Sequence, residues 1–138
     1  MTAPILLDTC AAIWIVMDEE IGAEAADALD RASGRGDTIY VSPMTAWEIG
    51  LLISRGRIAS PMSPKALFRQ LLSAPNLMLA DMSTDVLIDS SFLPGEPPRD
   101  PADRIIITTA RESGLAIMTR DRQILTYAEA GHVQAIPC

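Results

Sequence analysis

Four short apolar runs punctuate this chain: PILLD at 4–8, TIYVS at 38–42, NLMLADM at 76–82 and LAIMT at 115–119. Each is too brief for a typical helix, and several are apolar at nearly every successive position. Continuous apolarity of this kind suits strands covered on both faces, which is the situation of a parallel sheet between two layers of helices. The intervening sequence is helical in character, so strands and helices alternate along the chain. An α/β fold with a central parallel sheet flanked by helices on both faces is therefore expected.

The helical segments carry their own start and stop signals. Thr9 to Met17 follows the first run, and GAEAADALDRAS (22–33) is rich in alanine, leucine and charge before GRGD breaks it. Pro43 opens a helix through MTAWEIGLLISRG, closed by Gly56, and Ser63-Pro64 opens another that places Leu67, Leu71 and Ala74 on one face before Pro75. These two form a helical hairpin, about 44–74, expected beside the sheet within a single domain spanning 1–138. Ser83 or Thr84 should cap a short helix over STDVLIDSSF. The loop LPGEPPRDP leads into DPADRIIITTAR, which Gly114 ends, and Asp121 precedes the helix RQILTYAEA, with VQAIP closing the chain.

In DPADRIIITTAR, helical spacing from Asp103 reaches Ile106, Ile107 and Ala110, the face that should be buried. An unpaired carboxylate there is costly to bury. Asp8 and Asp121 fall just beyond the carboxyl ends of two expected strands, where ligands collect in open parallel sheets. Glu48 lies mid-helix on a face with Met44, Leu51 and Leu52. Taken singly, Asp8 and Asp121 could be helix caps, Asp103 could favour the helix dipole, and Glu48 could be exposed. Taken together, converging carboxylates would raise one another's pKa values, and a divalent cation would remove the repulsion. All-oxygen ligation suits Mg²⁺ or Mn²⁺.

The motifs ILLDT, MTAWEIG, DPADRIIITTAR and MTRDRQIL, in this order, resemble the PIN-domain nucleases, and among them most closely the VapC-type toxins of bacterial toxin–antitoxin pairs. The resemblance covers essentially the whole chain. It implies a PIN-like fold and a Mg²⁺- or Mn²⁺-dependent endoribonuclease that inhibits translation. It also implies a homodimer neutralised by a cognate antitoxin. Asp8, Glu48, Asp103 and Asp121 match the metal-site acids. Asp8 and Asp103 would ligate the principal metal, Glu48 and Asp121 would support it, and Asp100 is an auxiliary candidate. Many relatives carry a histidine just before the DP pair; this chain has Pro98 and Arg99 there, so a histidine-assisted step is not implied.

Composition narrows the alternatives. A net charge of −7 argues against gripping nucleic acid by overall electrostatics. Lys65 is the single lysine, and the other basic residues are arginines, the better forks for phosphate. Arg99, Arg104, Arg120 and Arg122 flank the acids and are candidates for RNA-phosphate contacts, the alternative being ordinary surface arginines paired with carboxylates. A Mg²⁺-dependent phosphoacceptor signalling domain would want a lysine at a late strand end, but Lys65 belongs to the hairpin. A phosphatase with an Asp-x-Asp pair meets Cys10 at the second position, and a thiol phosphatase would need an arginine where Val16 stands. A non-catalytic binding module with the same acids remains the other alternative. The longest apolar run, 10–17, is far short of the ~20 residues that span a bilayer. Without a secretion signal or metal-type cysteine spacing, a cytoplasmic setting is expected.

Overall fold

All four apolar runs form strands, and a fifth closes the chain. The computed structural model describes residues 3–138. In chain order the elements are β1 (Ile5–Leu7), α1 (Thr9–Val16), α2 (Ala23–Arg35), β2 (Ile39–Val41), α3 (Pro43–Ser54), α4 (Pro64–Leu72), β3 (Leu77–Leu79), α5 (Thr84–Asp89), α6 (Pro101–Ser113), β4 (Ala116–Thr119), α7 (Arg122–Glu129) and β5 (Gln134–Pro137). The strands make one sheet in the order β3-β2-β1-β4-β5, every neighbouring pair parallel.

Parallel pairing requires crossovers, and the helices that supply them cover both faces. Ile5, Leu7, Ile39, Val41 and Met118 project to one face, where Ala11, Ala12, Ala25, Ala32 and Leu71 of α1, α2 and α4 meet them. Leu6 and Ile117 project to the other, against Ile106, Ile107 and Ala110 of α6 and Ile124 and Tyr127 of α7. The inner strands β1 and β4 are buried throughout, as their unbroken apolarity anticipates. Burying each large side chain such as Leu6, Leu7 or Ile117 contributes about 1.5–3 kcal/mol. β3 departs from that pattern: Met78 and Leu79 are exposed, because β3 is an edge strand with no neighbour beyond it.

The hairpin of α3 and α4 packs on α1 through Ile13, Ile49 and Leu67, with Leu52, Ile58 and Phe68 around them. Ser42 caps α3 by accepting from the Met44 amide, and Pro43 fits the first turn, where no intrahelical amide bond is lost. Ser83, not Thr84, caps α5. Gly114, in a left-handed conformation, ends α6.

The strand order reverses direction at β1. The chain moves from β1 outward through β2 to β3, then returns to place β4 on the other side of β1. Crevices open outside the carboxyl ends of strands at such a reversal. Asp8 leaves β1 there, its amide donating to the Met118 carbonyl of β4 at 3.1 Å.

Candidate metal centre

Three helix N-termini meet at this crevice, and each is capped by one of the acids. Asp8 caps α1, its Oδ1 accepting from the Ala11 amide at 2.8 Å. Asp100 caps α6, its Oδ1 accepting from the Asp103 amide at 3.1 Å. Asp121 caps α7, its Oδ1 accepting from the Gln123 and Ile124 amides at 2.8 and 3.1 Å. Capping and metal ligation, open alternatives from sequence, are compatible here. A cap occupies one carboxylate oxygen and leaves the other for a second partner.

Glu48 reaches the same place from the middle of α3. The Thr9 hydroxyl donates to its Oε1 at 2.5 Å, and Thr9 and Thr45 hydroxyls lie 3.1 Å apart. Asp8 is held on its second oxygen by the Thr119 hydroxyl, which also accepts from the Asp121 amide at 3.0 Å. Thr9, Thr45 and Thr119 are all buried. They orient the acids, and sequence reasoning passed over them. Their signal was adjacency, since Thr9 follows Asp8 and Thr119 ends β4 two residues before Asp121.

The tightest grouping is Glu48, Asp100 and Asp103, each offering an oxygen within 4.8 Å of the others. Asp103 is half-buried with its helix stripe of Ile106, Ile107 and Ala110 fully inside, as the spacing anticipates. Asp8 and Asp121 stand outside that trio, but their charges reach it. Burial pushes the Asp103 carboxyl up to about 7, with the charges of Asp100, Asp121, Glu48 and Asp8 adding to it. Burial likewise pushes Asp8 up to about 6 against the Thr119 and Ala11 hydrogen bonds, and Asp121 adds to the rise. Glu48 is raised by burial, opposed by its Thr9 bond and reinforced by Asp100 and Asp8. Five carboxylates are thus crowded into one electrostatic neighbourhood.

No side-chain cation relieves them: among the described residues the one ion pair is Arg35–Asp37, on the α2 side of the molecule. The donor set is all oxygen, partly buried, mutually repelling and oriented from four helices. Those are the properties of a site for a hard divalent cation, and Glu48, Asp100 and Asp103 are placed to hold one.

The flanking arginines divide. Arg99, Arg104 and Arg122 line a groove between the loop before α6 and the start of α7. Arg120 faces elsewhere: its guanidinium lies 3.7 Å over the Trp14 ring and donates to the Cys138 carbonyl at 3.1 and 3.0 Å. His132 stacks beside Tyr127 with ring centroids 4.7 Å apart.

Comparison with known proteins agrees with this geometry. The PIN domain family model matches residues 5–130. Ribonuclease VapC22 of Mycobacterium tuberculosis is 27% identical over 124 residues, covering 89% of this chain and 91% of the relative. Among solved structures, VapBC2 from Rickettsia felis bound to a promoter DNA fragment superposes with a TM-score of 0.68 at 13% identity, covering 96% of this chain and 97% of that one. DNA-bound VapBC from Salmonella typhimurium gives 0.65 at 17% identity, covering 99% and 98%. The structural matches share the fold, and the family model takes in β1 through α7 with all five acids. The chain belongs to the PIN domain family.

Proposed function

We propose that this protein is a Mg²⁺- or Mn²⁺-dependent endoribonuclease, the toxin of a toxin–antitoxin pair. The observation that carries the reading is Asp103, a half-buried carboxylate with Glu48 and Asp100 oxygens within 4.8 Å and no cationic side chain to offset them, in a PIN-family chain similar to a ribonuclease. A divalent ion held there would offset the acids, polarise a phosphoryl oxygen and lower the pKa of a bound water.

The chain's own residues do the positioning. Glu48, Asp100 and Asp103 are the inner ligands. Asp8, whose two oxygens each accept one hydrogen bond and each keep a further lone pair, is oriented by Ala11 and Thr119 and would ligate the ion with Asp103, directly or through water. Asp121, whose capping uses Oδ1, keeps Oδ2 for water or a second ion at the edge of the centre. The Thr9 hydroxyl keeps Glu48 from swinging to solvent. No serine, cysteine or histidine is needed as nucleophile.

Two partners accompany this reading. VapBC structures join a toxin to its antitoxin, and the same kind of antitoxin is proposed here. A homodimer is supported by exposed apolar side chains, Met78, Leu79, Leu87, Ile88 and Phe92, concentrated in the β3–α5 region. No helix among the described residues is long and apolar enough to cross a membrane. A cytoplasmic setting follows from the proposed RNA substrate.

Purified protein incubated with total RNA provides the test. Cleavage should appear with Mg²⁺ or Mn²⁺, stop with EDTA, and be lost in Asp103→Asn and Glu48→Gln. Undiminished cleavage in EDTA overturns the mechanism.

A further inference from the structure

An acidic ribonuclease must hold a polyanion beside its own carboxylates, and one groove is built to do so. Arg99, Arg104 and Arg122 line it with Glu96, Gln123 and Thr126. Each arginine adjoins an acid of the metal centre in sequence: Arg99 precedes Asp100, Arg104 follows Asp103, and Arg122 follows Asp121. The entry to α6 and the first turn of α7 therefore carry the acids and the arginines together, each arginine of the groove one residue from an acid of the centre.

Acidic residues outnumber basic ones 18 to 11, so carboxylate partners are plentiful. None is taken up: the one ion pair among the described residues joins Arg35 to Asp37, and Glu96 in the groove itself pairs with none of the three. Arg104 is held in place without being neutralised, its Nε donating to the carbonyl of buried Pro98 at 2.6 Å. A guanidinium anchored through one nitrogen keeps the rest of its planar fork ready and loses little freedom on binding. With no carboxylate at ion-pair distance from any of the three, their guanidinium groups can take an anion between them.

We propose that this groove is a subsite for a backbone phosphate of the RNA strand, flanking the scissile position, and that it orients the strand across the metal centre. The inference rests on the nuclease reading. Arg120, bound over Trp14 and to Cys138, is excluded from it. A phosphodiester fits better than an acidic peptide, because the lining offers three guanidinium forks with the neutral Gln123 and Thr126, and its only apolar residues are Pro97 and Pro98, which form no pocket for a side chain.

The test compares wild type with the double variant Arg99→Gln/Arg122→Gln, sparing Arg104 because it also anchors the loop. Both are assayed with Mn²⁺ on a single-stranded RNA of about twelve nucleotides and on a dinucleotide, too short to reach the groove. For the longer RNA, KM should rise about tenfold with kcat little changed. The salt dependence of log(kcat/KM) should flatten by about 0.7, the value for one lost phosphate contact on a single strand. Dinucleotide cleavage should be equal in the two proteins, and Arg69→Gln, on exposed α4 surface, should alter neither. An unchanged KM and salt slope overturns the proposal. So does an equal loss on the dinucleotide, which would place the arginines at the reacting phosphate. A double variant that keeps RNA but loses polyglutamate binding assigns the groove to an acidic peptide and overturns it too. If wild type cleaves nothing, the nuclease reading fails instead. Fluorescence anisotropy of the labelled RNA then judges the groove alone: weaker binding by the double variant supports it, and equal binding rejects it.

Discussion

Replacing Asp103 with asparagine should stabilise the metal-free protein. The carboxyl is raised from 3.8 to about 7, so above neutral pH the fold holds an anion it would prefer protonated. Three units at about 1.4 kcal/mol each would set a ceiling near 4 kcal/mol. Asp103 is only half-buried, and water screens part of that repulsion, so about 1–2 kcal/mol is expected. Asparagine keeps the shape and the backbone bonds, because no hydrogen bond among the described residues uses the Asp103 side chain as its acceptor. For a chain of this length the gain corresponds to about 4–8 °C in Tm at pH 8 with EDTA.

The sign follows from proton linkage. Between the ordinary 3.8 and about 7 the folded state binds the Asp103 proton more tightly than the unfolded chain does, so this group makes stability fall as pH rises through that window. The advantage of Asp103→Asn should therefore be full at pH 8, shrink below pH 7 and vanish near pH 4. Saturating Mn²⁺ should reverse the order. A ligand at a hundred times its Kd adds about 2.7 kcal/mol to the protein that binds it, and the variant lacks one of the ligands. Thermal melts at fixed protein concentration read all of this. A variant that melts below wild type in EDTA at pH 8, with equal Mn²⁺ response in both, would refute the crowding of charge on which the metal centre rests.

Thr9→Val removes the hydroxyl that holds Glu48 at 2.5 Å, and should weaken Mn²⁺ binding several-fold while costing about 1–2 kcal/mol of stability; calorimetric titration with Mn²⁺ checks it, and unchanged affinity counts against the positioning role. Gly95→Ala should destabilise, since Gly95 sits at φ +69° and an added Cβ would lie 2.5 Å from His132 Nε2; His132→Ala in that background should recover part of the loss, and no recovery would mean that backbone strain alone is responsible. Phe92, 80% exposed, should contribute to self-association, so Phe92→Asp should shift light scattering toward monomer, whereas a wild type already monomeric at micromolar concentration would remove the dimer.

The layered sheet was legible because β1 and β4 are buried on both faces and hence apolar at every position except Thr119 at the end of β4. β3 carries the same composition yet lies half in solvent, because edge placement is set by strand order, which a local run of residues does not encode. The acids were legible as a set, each terminating a strand, beginning a helix or interrupting an apolar face. Which of them crowd together was not. Asp100 and Glu48 are 52 positions apart in sequence, and their meeting depends on α3 packing against α6. The buried threonines escaped notice because threonine is ordinary in strands and helix starts, and only the hydroxyl contacts give Thr9 and Thr119 their roles. Surface pairing of the arginines was a reasonable expectation, and the structure leaves Arg99, Arg104 and Arg122 without carboxylate partners.

The return of the chain to β1 has a consequence for biosynthesis. Asp8 is made long before its Thr119 partner, which follows 111 positions later, and Asp121 comes later still. A nascent chain ending before β4 has no strand to set beside β1 on that side and no α7 to close the crevice. Its acids are present but cannot assemble, since contacts so distant in sequence form only after the intervening chain is ordered. A chain built this way should have no assembled centre until β4 and α7 have been made. Interrupted synthesis, or proteolysis that removes β4 onward, should leave fragments in which Asp8 lacks its Thr119 partner and the acids do not come together.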